Sequence, residues 1–337
     1  MVPRLEIRKV QKTGGSSYIV SLPIKWIEQH EIKPKDSLGI ISQSDGNLLI
    51  TPQTNPEKYL REKKIDLDLI NDYNFLLRVL IGAYIMGFSV IKLESSKKFE
   101  SRIRECITSF TKIAMGPEII EETNNFILIK DTLDPKEMPF EVTIKRMYIL
   151  AESMHEDAIN AILKGDKKLA EEVIKRDNDI DRLHWLIGRQ SNIFLKDIIL
   201  CQKMGITLED ANQFQFFSKF LERIGDHAVK IAKNVILLID HKTDKDSIDK
   251  ISKASQISLK LLDNSIDAWL RKDINLANQN IENVEELASM CEVLSHSLNQ
   301  DSIESSIAIS YIIESIRRTG EYSADICEII INNLIKE

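Results

Sequence analysis

The chain has 337 residues, 43% hydrophobic, 29% charged and only 6% aromatic, with a formal net charge of −7. That length supports two or three domains with cores of their own, and that composition argues against disorder and for a mainly helical protein. The charge is uneven: residues 1–64 carry 11 Lys/Arg against 7 Asp/Glu, about +4, which leaves about −11 for the rest and suggests an anionic partner for the head only. Cys106, Cys201, Cys291 and Cys327 lie far apart without a CxxC, so neither a disulfide frame nor a zinc ribbon is expected, and a reducing cytoplasm is. The start has no signal-peptide core. The longest apolar run, Val79 to Val90, is too short to span a bilayer, so no membrane insertion is expected.

Residues 4–53 read as short strands with one small helix. Leu5 to Val10 alternates, Lys12 to Ser16 is a turn, and Ser17 to Leu22 is β-branched and aromatic. Pro23 opens a helix with Trp26 and Ile27 on its apolar side, ended by Lys33-Pro34-Lys35-Asp36. Leu38 to Ser42 and Asn47 to Thr51 follow as strands joined by the hairpin signal Ser44-Asp45-Gly46. So short a β unit buries too little to stand alone, and intertwined dimerisation is expected. Arg4, Arg8, Lys9, Lys12 and Lys25 face only Glu6 in the first 26 residues, a basic surface that a two-fold dimer doubles.

The run RKVQKTGGSSYIVSLPIKWIEQHEIKPKDSLGI resembles the AbrB/SpoVT swapped-hairpin domain, in the form fused to regulatory domains in archaea. The resemblance covers residues 4–53 and implies a domain-swapped dimer that binds DNA through those basic residues. The residues alone say that a basic β dimer can neutralise phosphates, with salt-sensitive affinity; the alternative is a purely dimerising head.

Residues 54–65 read as a charged linker. A small α/β domain is expected at 66–135, with a helix from Leu69 to Met86, a strand from Phe88 to Leu93, a helix from Glu100 to Ile113 and a hairpin from Glu118 to Asp131. It shows no phosphate loop and no nucleophile constellation, and reads as a spacer with a small core rather than a ligand sensor.

From Phe140 onward the chain is nearly all helix, and it repeats. Ala161 to Asp166 returns as Ala268 to Asp273, 107 residues later, and Gly225-Asp226-His227 returns as Gly320-Glu321-Tyr322, 95 residues later. Two three-helix bundles are predicted at 140–240 and 244–337, with helices over 140–164, 167–197, 208–240, 246–271, 274–299 and 302–335. The fold class is thus multidomain and mainly α: a β head, a small α/β segment and two tandem bundles.

Two acid pairs stand out in the first bundle. Glu222 and Asp226 share a helix face with Lys219 and Lys230 within a turn, so a solvated ion-pair ladder explains them. The helix-face neighbours of Asp177, namely Val173, Ile174 and Ile180, offer no cation, and Asp181 has Asp177 one turn back and Trp185 one turn on; Asp177 falls on the apolar stripe of Val173 and Ile180, where an unpaired carboxylate is costly. Gly225, mid-helix between the second pair, suggests a close approach by another acid-bearing helix with a metal between them. Four carboxylates on facing helices suit Mg, Mn or Fe, with Zn also open.

DNDIDRL together with LERIGDHAVKIA resembles the PhoU family, over about 140–335, and tandem three-helix bundles are that family's fold. The resemblance implies that Asp177, Asp181, Glu222 and Asp226 hold a surface metal cluster. It implies a non-enzymatic cytoplasmic regulator of phosphate uptake, acting on a phosphate transporter or its signalling partners. The second bundle departs: Arg317 replaces Glu222, Val284 and Ala288 replace the aspartates, and Glu321 and Asp325 remain as weaker candidate ligands. A rival is a di-iron carboxylate oxidase, since Glu152-x-x-His155 and Asp181-x-x-His184 have the required spacing, though His155 and His184 read as ordinary, partly exposed histidines. A third reading is an adaptor that docks on a transporter without binding DNA.

Overall fold

The computed structural model describes residues 5–42, 46–52, 61–70, 72–239, 245–296 and 303–335, in two units, Met1–Tyr59 and Leu60–Glu337. In the head, β1 (Gln11–Thr13) pairs antiparallel with β2 (Ser17–Ile19) across a turn in which Gly14 takes a left-handed φ of 62°. Helix α1 (Ile24–Gln29) starts after Pro23, and β3 (Gly39–Ser42) pairs antiparallel with β4 (Leu48–Thr51). The strand expected over Leu5 to Val10 does not form. Its alternating residues have no partner strand within the unit, and Leu5, Ile7 and Val10 stay 86%, 87% and 66% exposed. Among the described residues, none in the head is buried. Arg4, Ser44 and Asp45 lie outside the described residues.

The second unit begins with a strand in the stretch read as linker. β5 (Glu62–Asp66) runs parallel to β6 (Val90–Glu94), which pairs antiparallel with β8 (Phe126–Asp131), itself paired with β7 (Pro117–Glu122); the order is β5-β6-β8-β7. As an edge strand β5 buries only Ile65, and its lysines and glutamate suit an edge that must not pair further. The α/β domain therefore starts at Glu62 rather than 66, and the remainder of the expected linker, 54–60, lies outside the described residues. Helix α2 (Tyr73–Ile85) starts later than Leu69 because Leu67–Leu69 forms a 3-10 turn and Asp72 caps the helix by accepting from Asn74 N and Phe75 N. With α3 (Ser101–Ile113), α2 covers one sheet face over Leu80, Tyr84, Leu93, Phe110 and Ile129.

The body has the expected helices: α4 (Phe140–Lys164), α5 (Lys167–Phe194) and α7 (Leu208–Leu238) in the first bundle, with a short α6 (Ile198–Lys203) before α7. Helices α8 (Lys245–Arg271), α9 (Ile274–His296) and α10 (Ile303–Leu334) form the second. The repeat is visible in the backbone: Gly165 ends α4 at φ 62°, and Lys272, 107 residues on, takes φ 52° after α8. Asp166 and Asp273 then cap the next helices by accepting from Leu169 N and Leu276 N. One hydrophobic core runs through both bundles. Among the described residues, no helix is long and apolar enough to cross a membrane.

The α/β domain is fixed to α5 and is not a loose spacer. Arg189 on α5 is buried, paired with Asp131 at 2.5 Å, and it donates to Tyr84 O and Phe88 O at 2.7 and 2.9 Å. Gly87 and Gly188 let Ile193 and Ile85 close in on either side.

Candidate functional site

Asp177 and Asp181 lie on α5, and Glu222 and Asp226 on α7, each pair one turn apart on a half-buried face. The two helices meet between the pairs. A Cβ on Gly225 would lie 2.6 Å from Ile180 Cδ1, so the glycine admits an isoleucine side chain from α5, the residue just before Asp181. The close approach read from Gly225 is thus real, and what fills it is Ile180.

The three aspartates are all raised. Burial raises Asp177 above the ordinary carboxylate range, with Asp226 and Glu222 adding to the rise and Lys233 opposing it. Asp181 is pushed up to about 7, by burial first and then by Asp177, Glu222 and Asp226. Asp226 is raised by burial and by Glu222, against Lys219, Lys230 and Lys233. Lys219 Nζ grips Glu222 at 2.9 and 2.8 Å, so half of the expected ion-pair ladder is present. Asp177 Oδ1 is buried without a hydrogen-bond partner among the described residues, as the absence of a nearby cation on α5 suggested. Lys233, two turns beyond Asp226, was not singled out in the sequence, although its i+7 spacing places it on that face.

An all-oxygen donor set with an orphaned, desolvated carboxylate oxygen fits a hard cation such as Mg, Mn or Fe. Among the described residues, however, no three acid, His or Cys side chains stand close enough to enclose a metal, so binding one requires the carboxylates to converge. In the second bundle the equivalent face carries its own cations. Arg317 and Arg318 both pair with Glu314 and Glu321, which commits Glu321, while burial and the nearby Glu328 and Glu321 raise Asp325.

Of the two histidines read as partly exposed, His184 is so and His155 is not. His155 is fully buried, with Nε2 3.0 Å from Ser255 Oγ and Nδ1 3.3 Å from Thr319 Oγ1. Thr319 Oγ1 also reaches Ser315 O, so both ring nitrogens of His155 meet hydroxyl groups that can donate or accept. Glu152 instead faces Tyr148 and Asp263, so the Glu152/His155 pair does not converge as a di-iron site needs. His184 Nδ1 stands 3.0 Å from Ser218 Oγ and is only partly buried.

In the head, Arg8, Lys9, Lys12 and Lys25 are all exposed, and Arg8 pairs with Glu6. Tyr18, Ile19, Val20, Ile24, Ile40 and Leu48 of the same unit are exposed as well.

Residues 144–235 and 251–330 match the PhoU domain model, and residues 11–58 match the model of "Antidote-toxin recognition MazE, bacterial antitoxin". The chain is similar to proteins described as "Phosphate-specific transport system accessory protein PhoU homolog": it is 25% identical over 193 residues to that of Clostridium acetobutylicum, covering 54% of this chain and 85% of the relative. It is 28% identical over 197 residues to that of Caulobacter vibrioides, covering 56% and 83%. Among solved structures it shares its fold with PhoU from Pseudomonas aeruginosa (TM-score 0.51, 22% identity, 58% of this chain and 95% of the other). The phosphate transport system regulatory protein PhoU from Streptococcus pneumoniae is similar at TM-score 0.51 and 22% identity, over 60% and 96%. The two PhoU segments fall one on each bundle and together take in just over half of the residues: the chain belongs to the PhoU domain family.

Proposed function

We propose that the chain is an accessory regulator of phosphate transport that works by binding rather than catalysis. The body docks on transport-system components, and the head pairs with that of a second copy to contact DNA. The observation that carries this reading is the acid face of α5 and α7 set within a PhoU body whose relatives are named for the phosphate-specific transport system. Asp177, Asp181, Glu222 and Asp226 would hold a hard cation there. When bound, the ion supplies positive charge that relieves the mutual repulsion of the acids. Lys219, which already grips Glu222, stands in part of that role and would compete with the ion. For the head, the exposed apolar set supports pairing with a second copy, and Arg8, Lys9, Lys12 and Lys25 support contacts to phosphates.

The test is a gene deletion followed by phosphate uptake in phosphate-rich medium. Uptake should rise, fall back with the wild-type gene, and stay high with Asp177→Ala/Glu222→Ala. The purified wild type should also carry metal by plasma mass spectrometry, and the folded double variant should not. Unchanged uptake on deletion counts against the transport reading. A metal-free wild type, after incubation with Fe, Mn, Mg and Zn, counts against the cation.

A further inference from the structure

The repeat provides an internal comparison for a cavity away from the acid face. At one end of the seam between the bundles, the end of α10 and the starts of α4 and α7 surround an opening of about 580 Å³, within the size range of small-molecule sites. Its wall holds Phe140 stacked on Phe214 at 5.1 Å, with Trp269 edge-on to Phe214 at 5.9 Å. Two amides line it as well: Gln213, only 8% exposed, and Asn333, whose Nδ2 lies 2.8 Å from Gln213 Oε1.

The repeat offsets of 95 and 107 carry these residues to their counterparts at the other end of the seam. Gln213 answers to Ala308, Phe214 to Ile309, Asn333 to Leu238 and Trp269 to Ile162. All four counterparts are buried apolar residues. A seam of this fold is therefore sealed by small aliphatic side chains at one end. At the other it carries Phe214, Trp269 and an amide pair, and burying the Gln213 amide has a cost that an aliphatic seal avoids.

The geometry points to a binding site for a neutral nucleobase-bearing ligand, a free base or nucleoside, in the cavity between Gln213, Asn333 and Trp269. Whichever way the amides are turned, the pair uses one NH₂ and one carbonyl on each other and leaves one NH₂ and one carbonyl over. A spare donor and a spare acceptor among the lining residues are the groups that the edge of a nucleobase pairs with. Trp269, partly exposed in the lining, offers a stacking surface for the planar ring. Glu141 and Asp210 outnumber Lys272 among the lining charges, which disfavours ligands that carry phosphates.

The experiment is equilibrium dialysis of the purified full chain against radiolabelled adenosine, guanosine, cytidine and uridine in turn. At least one should bind saturably, one per chain. Gln213→Leu keeps the volume and removes the amide edge, and should weaken that binding about tenfold or more while helical content stays unchanged. Asn333→Ala, in the last turn of α10, should weaken it too, and decides the matter if the first variant does not fold. No saturable binding of any of the four up to about 1 mM overturns the proposal, as does binding that folded variants leave unaltered.

Discussion

A methyl group on Gly225 would press on Ile180 Cδ1 at 2.6 Å and on its Cγ2 at 3.2 Å, and Ile180 is wholly buried with nowhere to retreat. Gly225→Ala should therefore destabilise the body by about 1–3 kcal/mol from overpacking, only partly offset by the roughly 1 kcal/mol that alanine gains in a helix. Gly82, also mid-helix, meets nothing within 4 Å, so Gly82→Ala should be neutral or stabilise by up to about 1 kcal/mol. Urea midpoints that move the same way for both substitutions would refute this account. His155 gives a second residue-scale prediction. Burial holds its pKa down at about 4, whereas in the unfolded chain it titrates near about 6.5. Between those values the unfolded chain binds a proton that the folded chain refuses, so the stability this residue allows is present above about pH 6.5 and is lost as pH falls towards 4. Asp181, raised to about 7, acts with the opposite sign in the same window, so the comparison must be differential. His155→Gln should lose less stability than the wild type on acidification; parallel thermal-melting curves from pH 7 to 4 would rule the effect out.

At the scale of elements, α5 carries Asp177 and Asp181 near its middle and Arg189 towards its end, where Asp131 and two carbonyls satisfy the guanidinium. Removing one partner of such a buried pair strands the other charge and costs about 3–5 kcal/mol. Asp131→Asn should therefore loosen the α/β domain, seen as earlier tryptic cleavage within 61–135, whereas Arg189→Met with Asp131→Leu should recover much of the loss. Equal protection of wild type and Asp131→Asn would show that the pair does not hold the domain. Nothing in the sequence announced this pair, since 58 positions separate its members and neither belongs to a local pattern. The six long helices were legible because each sustains a 3.6-residue apolar period over many turns. β5 was not, because an edge strand that buries only Ile65 reads like any charged linker. Gly225 announced a close approach without saying what approached. The orphaned Asp177 oxygen was legible because its neighbours three and four residues away on the helix carry no cation, whereas the burial of His155 was not, because its partners Ser255 and Thr319 come from the other bundle.

For the whole molecule, the head poses the problem that the body solves for itself. Its short hairpins leave large apolar side chains open to water, Ile7 among them at 87% exposure, and a monomeric domain does not tolerate so much apolar surface without cover. A second copy of the same surface would cover it symmetrically and bring two sets of Lys9, Lys12 and Lys25 onto one assembly. Sedimentation should accordingly find the full chain dimeric and residues 61–337 of lower mass. Duplex DNA should bind the dimer with an affinity that falls linearly on a logarithmic salt scale, with a slope of about −0.9 per phosphate neutralised. Replacing the three lysines with alanine removes up to six such contacts from a dimer and should flatten the slope by at most about 5. A triple variant that stays dimeric and keeps the wild-type slope would mean that these lysines meet no phosphates. The head would then serve to pair two bodies, and whatever the acid faces of α5 and α7 report would pass to a transporter instead of a promoter.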